Sequence, residues 1–117
     1  VGSGRLGLTL DTGNFYWFGY PLREVYEIVD EFAGAVRHTH VKNAVAEAKQ
    51  ARREPRQVVM APMKEGDLDL KRITEALRKA GYDRDLTIED ESLGRFPPEE
   101  RRKILKKDAQ HLRSLLG

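Results

Sequence analysis

Apolar residues recur along this chain with two periods, and their alternation sets out the architecture. Runs with a two-residue alternation fall at Arg5 to Asp11, Ala35 to Lys42 and Leu86 to Asp90, and each predicts a strand. Between them the apolar spacing changes to three and four. Leu22, Val25, Ile28, Val29 and Phe32 make one helical stripe, with Pro21 suited to the first turn and Gly34 to the stop. Leu70, Ile73, Ala76 and Leu77 make a second, capped by Asp67 or Asp69 and closed by Gly81. A third helix starts at Pro97 and Pro98 and carries Glu99 and Glu100 in its first turn. It presents Ile104, Leu105, Leu112, Leu115 and Leu116 on one face. Val45 to Arg53 reads as a further short helix, and Pro55 and Pro62 break the next segment into a long loop.

The order is therefore strand then helix, three times over, in a single α/β domain spanning residues 1–117. Strands separated by helices pair in parallel through right-handed crossovers. Parallel sheets normally have both faces covered and both faces apolar, yet these strands depart from that rule. Leu6, Leu8 and Leu10 lie opposite Gly7, Thr9 and Asp11, whereas Val36, His38, His40 and Lys42 lie opposite Arg37, Thr39 and Val41. In the third strand Leu86 and Ile88 oppose Thr87 and Glu89. Asp11, His38, His40, Lys42 and Glu89 thus collect near the strand ends.

Composition narrows the chemistry. With 117 residues, 39% apolar and 34% charged, the chain has the size and balance of one small globular domain. It has no apolar run of membrane-spanning length and no leader-like start, so a cytoplasmic location is the expectation. With no Cys, a metal would fall to His, Asp, Glu or Asn. The net charge of +2 does not point to nucleic acid. Lys49, Arg52, Arg53 and Arg56 nevertheless concentrate positive charge, which predicts a solvated loop or, at most, a site for a phosphorylated substrate.

In parallel α/β folds ligands sit at the carboxyl ends of the strands. Asp11, His40 and Glu89 each occupy such an end and offer an O,N,O set suited to Mn²⁺, Mg²⁺, Co²⁺ or Zn²⁺. Each residue also has a plainer reading: Asp11 as a turn former before Thr12, Gly13 and Asn14, His38 as a satisfied polar group in a barrel layer, Glu89 as part of a solvated acidic loop. Their joint occurrence at one position of three successive units favours a site.

LTLDTGN, RHTHVKN and PMKEGDLDLKRITEALRKAGYDRDLTIED, in this order, resemble the C-terminal part of the sugar phosphate isomerase/epimerase family. That family lies in the xylose-isomerase-like TIM barrel superfamily, with inosose dehydratases, hydroxypyruvate isomerases and endonuclease IV-type abasic-site nucleases. The resemblance runs from Gly7 to about Glu89. It implies the last three βα units of a (β/α)8 barrel, an incomplete barrel in this chain. It also implies a divalent metal held by Glu, Asp, His and Glu from four strands, with Asp11, His40 and Glu89 as the last three and the first Glu upstream of Val1.

The expected activity is metal-dependent sugar or keto-sugar isomerisation or epimerisation, by proton transfer next to a carbonyl with Glu89 as one catalytic carboxylate. Lys42 is expected to steady an enediolate oxygen. His38, Asn14 and Trp17 are expected to face the substrate, Trp17 within the aromatic cluster Phe15, Tyr16, Trp17, Phe18 and Tyr20. Relatives commonly carry His where Asn14 stands, and Asn cannot serve as an acid or base near pH 7. Two alternatives stay open: an endonuclease IV-like nuclease, although no Asp-Arg-His motif follows HVKN, and a non-catalytic assembly module. The expected partners are a small sugar and either further copies of the chain or the rest of a barrel, with neither membrane nor nucleic acid.

Overall fold

The computed structural model describes residues 4–116. Strands β1 (Leu8–Asp11) and β2 (Val36–Val41) pair in parallel, and a two-residue strand, Thr87–Ile88, pairs in parallel on the far side of β2. The segment expected to be a short helix, Val45 to Arg53, is instead a loop that leaves the end of β3 (Asn43–Val45), a strand antiparallel to β4 (Val59–Ala61). Thr87–Ile88 is therefore β5. The helices are α1 (Asn14–Trp17), α2 (Leu22–Phe32), α3 (Leu70–Lys79) and α4 (Pro98–Leu115), with single 3₁₀ turns at Ala33–Ala35 and Glu91–Arg95.

Register places the site. Thr9 lies opposite His38, Asp11 opposite His40, and His40 opposite Thr87. Side chains alternate along a strand, so these residues share one face with Glu89, whose backbone N–H reaches the Val41 carbonyl at 2.9 Å. The opposite face carries Leu10, Thr39 and Val41, all buried. Leu10 and Val41 share one core with Val25 and Val29 of α2, Ile73 and Leu77 of α3, and Leu112 of α4. Helices thus cover only the apolar face, and the polar face is left half-exposed.

Asp69 caps α3, accepting from the Arg72 N–H at 3.1 Å, and Gly81 closes the helix with φ 89°. Gly34 does not act as a left-handed stop: α2 tightens into the Ala33–Ala35 turn, which carries the chain into β2. Pro21 sits one place earlier than expected, as the residue before α2. Phe32, at the end of its stripe, is 47% exposed. On α4 the inward positions include Leu112, while Leu105 and Leu116 are exposed and the buried residue one turn earlier is Asp108, which accepts the Met63 N–H at 3.0 Å.

The loops beyond β2 are pinned by Asn43. Its amide nitrogen donates to the carbonyls of Met63 (2.8 Å) and Leu68 (3.0 Å), and its oxygen accepts the Ala44 and Leu68 N–H groups. Gly66 makes room for it, since a Cβ there would lie 2.0 Å from the Asn43 carboxamide. No helix among the described residues is long and apolar enough to cross a membrane.

Candidate metal centre

The letters of Asp11-Thr12-Gly13-Asn14 divide the work of one strand end. The Asp11 Oδ1 accepts the N–H groups of Gly13 (2.9 Å) and Asn14 (3.0 Å), which leaves Oδ2 to face the site. The buried Thr12 hydroxyl donates to the Lys42 carbonyl at 2.7 Å and accepts the Lys42 N–H at 2.9 Å, so it stitches the ends of β1 and β2 together. Gly13 has no Cβ because one would lie 2.5 Å from Lys42 Cγ. A turn that looks ordinary in sequence is shaped around the lysine.

At this edge Asp11, His40 and Glu89 bring one potential ligand atom each within 4.8 Å of one another, the one such group of three or more among the described residues. Two carboxylates and an imidazole at this spacing fit a hard or borderline divalent cation. His40 Nδ1 lies 3.7 Å from Glu89 Oε2. The Lys42 ammonium enters the same cluster, 3.0 Å from Asp11 Oδ2, 2.8 Å from Glu89 Oε2 and 2.9 Å from Glu91 Oε1. Its side chain is only 4% exposed.

Charge distribution follows from these distances. Burial alone would lower the Lys42 pKa, but the carboxylates of Glu89, Glu91 and Asp11 outweigh it and raise it above the ordinary range, so Lys42 remains a cation. Desolvation pushes Asp11 up from its usual value, against the opposing pull of Lys42. Glu89 is held below the ordinary range, first by the hydrogen bond from Lys42, and is therefore ionised near neutral pH.

His38 lies one step deeper on the same face, with its ring edge-on to His40 at 5.0 Å and Nδ1 2.7 Å from Asp85 Oδ2. Asn14 opens α1 with its side chain exposed. Trp17 packs edge-on against Phe18 at 4.9 Å, beneath the Arg56 guanidinium at 5.5 Å. The structure thus joins Asp11, His40, Glu89 and Lys42 directly; His38 lies edge-on beside His40, Asn14 reaches Asp11 through its backbone N–H, and the ring contacts of Trp17 are with Phe18 and Arg56. Sequence reasoning missed Glu91, which follows Glu89 by two residues but enters the site through the 3₁₀ turn rather than along the strand.

The basic stretch is not simply a solvated loop. Arg52 lies over the Tyr20 ring at 5.0 Å and Arg53 over Tyr16 at 4.3 Å. Arg53 also donates to the carbonyls of Ala48 (2.7 Å), Tyr16 (2.9 Å) and Tyr20 (3.0 Å). Lys49 pairs with Asp67 at 2.8 Å. The loop is a clamp on the aromatic segment that follows Asp11. Gly19, with φ 109°, lets the two backbones meet, because a Cβ there would lie 2.0 Å from the Arg53 carbonyl oxygen.

Comparison with known proteins agrees with this topology. A search of curated proteins finds no significant match. Among solved structures the chain is similar to a xylose isomerase domain protein from Planctomyces limnophilus, with a TM-score of 0.77 and 24% identity. The match covers 98% of this chain and 39% of that one. The fold is therefore that of part of a barrel, spanning well under half of the related structure. The family model described as xylose isomerase-like TIM barrel matches residues 1–115. With three parallel strands, helices on one face and a polar cluster at the carboxyl ends, the chain belongs to the xylose isomerase-like TIM barrel family.

Proposed function

We propose that this chain supplies the metal-binding and proton-transfer edge of a sugar or keto-sugar isomerase or epimerase. One observation carries the reading: Asp11, His40 and Glu89 converge within 4.8 Å at the ends of three adjacent parallel strands. Asp11, His40 and Glu89 would hold a divalent ion, Mn²⁺, Mg²⁺, Co²⁺ or Zn²⁺. When bound, that ion supplies Lewis-acid polarisation of the substrate's carbonyl and hydroxyl oxygens.

The chain's own residues do the rest. Glu89, a carboxylate at the strand end, takes the proton from the carbon next to the carbonyl. Returning it to the neighbouring carbon, while the hydroxyl proton of the first carbon passes to the former carbonyl oxygen, isomerises the sugar; returning one to the opposite face of the same carbon epimerises it. Lys42, buried and cationic, steadies the negative charge that develops on oxygen.

The test is titration of the metal-stripped protein with Mn²⁺ or Co²⁺, followed by deuterium exchange from D₂O into a panel of aldoses and ketoses. Binding should be lost or weakened at least about 100-fold in Asp11→Asn and His40→Ala, the loss that follows removal of a direct ligand or its support. Exchange at the carbon beside the carbonyl should require Glu89. Metal binding indifferent to Asp11 and His40 would sink the proposal and favour a barrel module used only for assembly.

A further inference from the structure

We infer that Lys42 is a resident cation of the metal centre: it holds the ligand carboxylates together while the metal is absent, and metal entry transfers its ammonium to Glu91. This rests on the reading of Asp11, His40 and Glu89 as metal ligands. Its basis is the placement of one ammonium group. Lys42 Nζ contacts Asp11 Oδ2 at 3.0 Å and Glu89 Oε2 at 2.8 Å, and both residues belong to the ligand cluster. The Glu89 oxygen it occupies is also the one nearest His40, at 3.7 Å. The ammonium thus neutralises oxygens that a divalent ion would need.

Two cations cannot share those oxygens without strong repulsion, because charges a few ångströms apart in a partly buried site are poorly screened. The ammonium therefore has to leave those oxygens, and the structure supplies the acceptor. Glu91 Oε1 already lies 2.9 Å from Nζ, outside the ligand cluster and on a side chain 47% exposed. Glu91 can therefore keep the ammonium paired after Asp11 and Glu89 turn to the metal. Gly13 leaves the lysine stem room beside the turn, where a Cβ would collide with Cγ and Cδ.

The inference predicts a particular coupling. Isothermal titration with Mn²⁺ alone, on the metal-stripped full chain, should show Lys42→Met binding about tenfold tighter than the wild type or more, within the usual range of coupling between two sites. Glu91→Gln should weaken binding several-fold when Lys42 is present and have little effect in the Lys42→Met background. If Lys42→Met is destabilised without metal, the Mn²⁺-induced rise in its melting temperature should exceed that of the wild type. The exposed Glu91→Gln substitution provides a second reading that does not depend on the folding of the lysine variant.

Unchanged or weaker affinity in Lys42→Met overturns the inference, as does a Glu91→Gln effect that is absent or equal in the two backgrounds. Wild-type binding abolished by His40→Ala, combined with such a result, leaves the metal-centre reading standing and removes the competition alone. Absence of Mn²⁺ binding in every protein overturns both.

Discussion

Asp108 is a carboxylate on the inner face of a helix, where an apolar side chain would be expected. It is 2% exposed and its pKa is pushed up to about 7, first by desolvation and then by the neighbouring Asp90. The folded state therefore holds this proton more tightly than the unfolded chain does. The associated stability is complete below about pH 4 and is lost as the pH rises through about 7. Thermal melts should accordingly show the wild type less stable at pH 8 than at pH 5. Asp108→Asn, which keeps the acceptor for Met63 N–H and can donate to Asp90, should shrink that difference and melt higher at pH 8. A pH dependence unchanged by the substitution would remove Asp108 as its cause. At this scale the short pattern DTG was only partly legible. Asp11 stood out as a polar residue closing an apolar strand, whereas the reason for Gly13 is a lysine stem arriving from another strand.

At the scale of elements, the alternation of periods located the three parallel strands and the main helices within a few residues. It failed between Val45 and Arg53, where the charged, Ala-containing run suited a helix but the chain instead runs as a loop from the end of β3 and lays Arg53 over Tyr16 of α1. The partners that decide this, Tyr16, Tyr20 and the Gly19 carbonyl, lie more than thirty residues away for Arg53 and exert no local pattern. Arg53→Ala leaves three carbonyls without a charged donor. It should cost about 2–3 kcal/mol in urea denaturation and speed proteolysis within residues 46–58. Arg53→Lys should recover only part of the loss, because a single ammonium cannot reproduce the guanidinium fork. Full stability in Arg53→Ala would mean that the clamp is incidental.

Across the molecule, among the described residues, the sheet order β1-β2-β5 leaves β1 and β5 paired on one side only, and helices cover one face only. Beside the open edge Leu6 is 62% and Leu8 41% exposed. Unpaired edges with apolar flanks invite further strands. We propose that a second copy or the remainder of a barrel covers this edge. Sedimentation equilibrium of residues 1–117 should show concentration-dependent association, reduced by Leu8→Lys; a stable monomer at all concentrations would refute it. The sequence by itself determined the class of fold and the three strand-end ligand candidates, because two-residue alternation places side chains on faces without reference to anything distant. Only the tertiary structure decided what those residues meet. Bringing Lys42 onto Asp11, Glu89 and Glu91, tying His38 to Asp85 and closing the basic loop over the aromatic rings all depend on strand register and on turns that join segments far apart in the chain.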